Sequence, residues 1–245
     1  MNDAAVITGG AAGIGLQVAR RLAADGHGVV ILDLEADKAE AAARDLGDNS
    51  KAIGLGCDVA DLAAVQAAAD RIHAAGWSVS QLVSNAGWGP NRRFLDSSVE
   101  EQQRVVDVNF GGTLNVCRVF LPDMVSNQHG RIVLVGSDAG RVGTPKEAVY
   151  AGTKAALVGF AKSLSVEIAR DKVTINVVSP GSTDTEYIRS ILTEDQLARR
   201  IKGNPLGRLA TPDDVADAIC FFLGDASSYI TGQVLSVNGG ATRPG

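Results

Sequence analysis

The chain has 245 residues, 45% of them hydrophobic and 21% charged, with a net charge of −5. That length fits one large α/β domain as well as two small ones, and it buries enough surface to fold without disulfide staples or a structural metal. The scattered Lys and Arg and the acidic balance speak against nucleic acid or an anionic membrane surface as a partner.

Ala4–Thr8 reads as a short apolar strand, followed by a glycine-rich turn. Ile14–Asp25 has helical period, with Gly26 as its stop. Val29–Asp33 is a second strand, Asp37–Leu46 a helix, Ala52–Cys57 a third strand and Leu62–Ala75 a third helix. Gln81–Ser84 is a fourth strand, and Val99–Asn127 reads as one long helix. Arg131–Gly136 is a fifth strand, Glu147–Arg170 a long helix and Thr174–Val178 a sixth strand. A short helix is expected at Thr193–Lys202. Another opens on Thr211-Pro212, a good cap and first-turn pair, and runs to Leu223. Val234–Val237 is the last strand.

Strands that are apolar throughout and alternate with helices imply a parallel sheet covered on both faces. The expectation is a single-domain α/β Rossmann fold over residues 1–245, a doubly wound seven-stranded parallel sheet. Cys57, Cys117 and Cys220 are far apart and lie in apolar stretches, so they read as reduced and mostly buried thiols. The three histidines neither cluster nor pair with the cysteines, so no metal site is expected. Met1-Asn2-Asp3 shows no basic leader, and no apolar run approaches the about 20 residues of a membrane helix. Cytoplasmic is the default location.

Thr8-Gly9-Gly10-Ala11-Ala12-Gly13-Ile14-Gly15 joins the first strand to the first helix. Glycines there permit a tight turn, close backbone approach to a pyrophosphate and tight packing of helix on sheet. The helix N-terminus supplies free N–H groups for the anion. An ordinary glycine-rich connection is the bland alternative, and the position at the first strand–helix junction favours a phosphate loop. Asp33 ends the second strand, 18 residues after Gly15. A carboxylate there accepts hydrogen bonds from ribose hydroxyls and repels a 2′-phosphate. No Arg or Lys occupies the loop or directly follows Asp33, so NAD is expected over NADP. The alternative for Asp33 is a solvent-facing turn carboxylate.

Tyr150 and Lys154 stand four apart in a predicted helix and so share a face. A free phenol titrates near pH 10, and a neighbouring ammonium favours the phenolate. Tyr150 is thereby expected to take a proton from an alcohol, or give one to a ketone. The pair alone is a weak signal. Ser137 follows the fifth strand, at the carboxyl edge where such sheets bind ligands, 13 residues before Tyr150. Asn85-Ala86-Gly87 follows the fourth strand, Pro180-Gly181 follows the sixth, and Asn109 lies inside the long helix, where Asn is not favoured.

These motifs together resemble the short-chain dehydrogenase/reductase family, from Ala4 to about Gly240. The spacing Thr8-Gly9-x-x-x-Gly13-x-Gly15 is the family's form of the glycine loop, and Gly9, Gly13, Ile14 and Gly15 look like its phosphate contacts. The resemblance implies that Tyr150 is the general acid/base, that Lys154 lowers its pKa and binds the nicotinamide ribose, and that Ser137 donates to the substrate oxygen. Asn109 resembles the support of a water relay to the lysine. Asp58 and Val59 resemble the adenine contacts, and Asn85 and Gly87 the motif beside the cofactor. Pro180, Gly181 and Thr185 resemble the nicotinamide-carboxamide site. Thr183 departs from the pattern, standing where the family usually has an apolar residue.

The resemblance builds the substrate pocket from Trp88–Phe94, Asp138–Pro145 and a lid at about 185–205. Trp88, Phe94, Val142 and Tyr187 are expected as its apolar wall, with Ser137 and Tyr150 at the reacting oxygen. Arg92 and Arg93 read as a solvated loop, with a carboxylate or CoA phosphate as the alternative ligand. Pro205-Leu206-Gly207-Arg208 and Ser228–Gly232 are similar to segments of 3-oxoacyl carrier-protein reductases and of NAD-linked dehydrogenases of cyclic and secondary alcohols. The former usually carry an Arg in the glycine loop and use NADP, whereas Ala12 and Asp33 point to NAD; the expected reaction is hydride transfer between nicotinamide and a secondary alcohol or ketone, with a cyclic alcohol or a 3-hydroxyacyl-CoA as candidate substrates. The competing readings are an NADPH-linked biosynthetic reductase and a non-catalytic NAD-binding regulatory or scaffold protein. The resemblance also implies a homotetramer.

Overall fold

The computed structural model describes residues 2–47 and 51–243. Met1, where a leader was sought, lies outside them. One seven-stranded sheet runs through the molecule in the order β3-β2-β1-β4-β5-β6-β7, every pair parallel. The strands are β1 (Asn2–Thr8), β2 (Gly28–Asp33), β3 (Ala52–Gly56), β4 (Trp77–Ser84), β5 (Gly130–Val135), β6 (Val173–Pro180) and β7 (Val234–Val237). The chain builds outward from β1 to β3, then returns past β1 to lay down β4. The strand order therefore reverses between β1 and β4, and the carboxyl ends there frame a crevice that no connection fills.

Alternate residues of a strand face opposite sides. Ala4, Val6, Val30 and Leu32 accordingly join one core, against α3 (Leu62–Ala74), α5 (Gly112–Ser126) and α7 (Ala148–Ile168). Ala5, Ile7, Val29 and Ile31 join the other, against α1 (Gly13–Ala24), α2 (Ala36–Arg44) and α10 (Pro212–Leu223). Both faces are dry, which is why the strands read as unbroken apolar runs. The expected doubly wound sheet is the one observed.

The differences have physical causes. Strand β4 begins at Trp77, four residues before the predicted start. Ser78 and Ser80 hid that start, yet both are buried, as is Gln81. Gln81 Nε2 donates to the Leu223 carbonyl and Asn127 donates to Ser78 Oγ, so these two groups are bonded inside the protein. The single helix expected at Val99–Asn127 is three pieces: α4 (Val99–Val106), a π-helical turn at Asp107–Gly111, and α5. The apolar period is continuous through the turn, so pattern reading could not see it. Two short helices, α6 (Ala139–Val142) and α8 (Glu186–Ile191), also escaped it. With α9 (Glu194–Gly203), α8 turns the expected lid into a helical pair. Thr193 and Gln196 form a reciprocal capping box at the start of α9.

Candidate active site

Gly9 and Gly13 adopt positive φ (59° and 53°), which fixes the shape of the loop after β1. At Gly15 the demand is space: a Cβ there would lie 2.5 Å from the Gly9 carbonyl oxygen. The Asn85 side chain clamps the same loop, donating to the carbonyls of Thr8 and Gly9 at 3.0 and 2.9 Å. No side chain caps α1, whose N-cap is Ala12, so its first N–H groups stay open to a ligand. The Asp33 carboxylate accepts from Ala11 N at 3.1 Å and Glu35 N at 3.4 Å, holding the loop to the end of β2.

Two cavities flank this cradle. One, of about 420 Å³, is walled by Gly9, Asp33, Asp58, Val59, Gly87 and Trp88, together with Leu34, Cys57 and Arg104. Asp58 pairs with Arg104 at 2.9 Å and also accepts from Ala60 N. The other, of about 730 Å³, runs from Gly13 and Ile14 past Asn85 to Ser137, Tyr150 and Lys154, and on to Pro180, Gly181, Thr183 and Thr185. A dinucleotide needs a phosphate cradle between two ring sites. The glycine turn, uncapped helix and paired cavities fit such a group. Thr183 is buried, donates to the Gly181 carbonyl at 3.2 Å and bridges Ala210, so a polar residue is tolerated there. Thr185 caps α8, accepting from Ile188 N at 3.2 Å.

Lys154 is buried on α7, and its Nζ donates to the Val135 carbonyl at 2.7 Å, 5.7 Å from the centroid of the Tyr150 ring. Asn109 lies in the π turn, fully buried. Its Oδ1 accepts from Trp88 N at 2.7 Å, and its Nδ2 donates to the Trp88 carbonyl and to Thr153 Oγ1. The widened turn thus aims an amide at the loop after β4, and Asn109 braces the site without lining a cavity. Burial pushes the Tyr150 phenol up to about 12, with Glu147 and Tyr187 adding to it and the Ser137 hydroxyl opposing. Burial pushes Lys154 down to about 8. In the protein alone, desolvation therefore outweighs the lysine's expected pull on the phenol.

A third cavity, of about 310 Å³, opens on the far side of Tyr150 and Ser137. Val142 and Tyr187 line it as expected. The Tyr187 phenol donates to the Gly89 carbonyl, tying α8 to the loop after β4. Trp88 and Phe94 do not belong to this wall. Trp88 faces the 420 Å³ cavity, and Phe94 lies in a small separate cleft with Arg92, because the Asn109 brace turns the loop after β4 away. Arg92 pairs with Glu101 at 3.7 Å and Arg93 is exposed, which agrees with the solvated-loop reading. Asp138, in the expected loop Asp138–Pro145, and Arg200, in the expected lid, also line the 310 Å³ cavity, though neither is singled out by a motif; Glu147 lines it too and lies outside every expected segment.

Fold and crevice together define a dinucleotide-binding oxidoreductase class, with Tyr150, Lys154 and Ser137 gathered where the sheet order reverses. A family model described as enoyl-(acyl carrier protein) reductase matches residues 9–242. The chain belongs to the short-chain dehydrogenase/reductase family, whose members are oxidoreductases acting on ketones and alcohols through a nicotinamide cofactor. It is 36% identical over 242 residues to a 3-oxoacyl-(acyl-carrier-protein) reductase of Chlamydia muridarum, covering 98% of this chain and 97% of that one. It is 39% identical over 245 residues to an uncharacterized short-chain type dehydrogenase/reductase of Sinorhizobium fredii, covering 96% of each. The crystal structure of 3-oxoacyl-(acyl-carrier protein) reductase from Brucella melitensis superposes with a TM-score of 0.91 at 32% identity, covering 98% of this chain and 90% of that one. Among the described residues no helix is long and apolar enough to cross a membrane, and no three His, Cys, Asp or Glu side chains gather as a metal site. The three cysteines are free.

Proposed function

We propose that the whole chain is one NAD-binding domain that interconverts a secondary alcohol and its ketone, with Tyr150 carrying the proton. The observation that carries this reading is the continuity of one cavity from the glycine cradle to Ser137, Tyr150 and Lys154. The nicotinamide, when bound, supplies hydride donation and acceptance. Gly9, Gly13, Ile14 and Gly15 hold the phosphates, Asp58 and Val59 the adenine end, and Pro180, Gly181, Thr183 and Thr185 the carboxamide end. Asn85 and Gly87 support the middle.

Ser137 Oγ donates to the substrate oxygen and Tyr150 exchanges a proton with it. The phenol is protonated at neutral pH and is therefore a ready acid toward a ketone. As a base toward an alcohol it must first ionise, which burial opposes. Lys154, held by Val135, places a positive charge and N–H donors beside the ribose, and Asn109 fixes the loop they face. Residues 185–205 cover the substrate.

Asp33 supports NAD, because its carboxylate stands at the cavity where a 2′-phosphate would sit and the loop offers no cation. A second reading, an NADPH-linked 3-oxoacyl reductase, is favoured by the names of two of these relatives and by the protonated phenol. Fluorescence titration with NADH and NADPH separates the two: tighter NADPH binding overturns the assignment to Asp33. A Tyr150→Phe variant is expected to bind NADH normally and to lose nearly all turnover. Activity close to the parent's overturns the proton-carrying role. We further propose a homotetramer. Val99, Val106 and Leu114 on α4 and α5 and Val166 on α7 are exposed and apolar, as are Phe221 on α10 and Leu235 on β7. Light scattering coupled to gel filtration measures the mass.

A further inference from the structure

Glu147, the N-cap residue of α7, and Arg200 of α9 meet across the 310 Å³ cavity. Their closest approach is 4.0 Å, too long for a hydrogen bond, and both side chains are largely covered. Among the described residues the Glu147 carboxylate accepts no hydrogen bond, and the one hydrogen bond Arg200 makes is to Ser182 Oγ at 3.0 Å. The two charges cancel, so the pair offers no net attraction to an anion. It offers instead a donor and an acceptor, side by side, with unused capacity. Burial raises the Glu147 pKa while Arg200 opposes that rise.

Resting on the oxidoreductase reading above, we infer that the Glu147–Arg200 pair selects a neutral polyol or sugar-like substrate by bridging a second hydroxyl near the reacting carbon. A hydroxyl donates to Glu147 and accepts from Arg200 at once. A ketone or thioester oxygen only accepts, a methylene does neither, and a carboxylate gains no net attraction from the cancelled pair and has no proton to donate to Glu147. Glu147 precedes Tyr150 by three residues, one turn of α7, so the two groups share a side of the helix. That places the second hydroxyl within a few bonds of the one that Tyr150 and Ser137 handle. A cavity of about 310 Å³ suits a compact ring rather than a long acyl chain.

The test uses the full chain with NAD and, separately, NADP, and four probes: cyclohexanol, cis-1,2-cyclohexanediol, 3-hydroxybutyrate and a 3-hydroxybutyryl thioester. The diol is expected to show the highest kcat/KM. Glu147→Ala and Arg200→Ala are each expected to lower the diol's kcat/KM by about 10- to 100-fold more than cyclohexanol's, mainly through KM, with Glu147→Gln recovering part. A melting shift of the NADH complex on adding the diol, reduced in both alanine variants, is the readout independent of turnover. Preference for the hydroxy acid or the thioester, or equal losses on diol and cyclohexanol, overturns the inference and leaves the redox reading standing. No turnover of any probe with either cofactor overturns the redox reading, and the melting shift then decides the cavity by itself.

Discussion

Replacing Asp138 with Ala removes the junction that ties the C-terminal segment to the active site. Its carboxylate is buried and accepts three side-chain hydrogen bonds: Ser236 Oγ at 2.8 Å, Asn238 Nδ2 at 2.5 Å and Thr242 Oγ1 at 2.5 Å. Some of the loss is recoverable. Asn238 Nδ2 keeps the Thr242 carbonyl at 3.0 Å, and Ser236 Oγ keeps a donor from Arg141. The Ser236 and Thr242 hydroxyl protons lose their acceptor, next to the buried Asn238. Hydrogen bonds to a charged group contribute about 1.5–3 kcal/mol each, so with partial recovery Asp138→Ala is expected to destabilise by about 3–5 kcal/mol. For a chain of this size that lowers Tm by about 10 °C. Asp138→Asn keeps the shape but turns an amide donor toward other donors, and it is expected to lose about half as much. Because Ala241 and Thr242 line the 310 Å³ cavity proposed to take the substrate, KM should rise in both variants. Calorimetry with denaturant titration measures the stability. A loss below about 1 kcal/mol, or an Asn variant as damaged as the Ala one, would refute the account of a buried charge stabilised by three donors.

Gly15→Ala places a methyl 2.5 Å from the Gly9 carbonyl oxygen, so NADH affinity should fall by more than tenfold while the fold survives, as read by fluorescence titration and circular dichroism. Alcohol oxidation should gain rate from pH 6 to 7.5 with a slope near one in log kcat/KM, because the phenolate fraction grows tenfold per unit below the raised Tyr150 pKa. Lys154, at about 8, stays mostly protonated in that window, and ketone reduction should stay nearly flat. A flat oxidation profile removes Tyr150 ionisation as the limiting event. Burial pushes the Cys57 thiol up to about 11 and Cys117 up to about 12, so both should resist iodoacetamide at pH 8 until the protein is unfolded in urea, as mass spectrometry can follow. Rapid native labelling of either thiol contradicts their packing.

The legible parts were those whose chemistry is local. Glycines 9, 13 and 15 are demanded by one turn, Tyr150 and Lys154 by one helical repeat, and the strands by runs buried on two faces. Trp88 and Phe94 were legible as loop residues but not in direction. That direction depends on an Asn109 amide reaching back 21 positions to the Trp88 backbone. The lid was legible as a long segment, while its latch, Tyr187 on the Gly89 carbonyl, joins positions 98 apart.

The sequence by itself determined the parallel sheet, the glycine turn and the shared helix face of Tyr150 and Lys154, because periodicity and short spacings encode them, while the family resemblance joined Ser137 to that pair. Only the tertiary structure decided that α4 and α5 are parted by a π turn and that burial rather than Lys154 governs the Tyr150 proton in the protein alone. It also decided that Asp138 receives Thr242 from 104 positions away and that Glu147 faces Arg200 across the 310 Å³ cavity. Charges, desolvation and hydrogen bonds act through space, and spacing along the chain does not record which distant groups the sheet brings within about 4 Å.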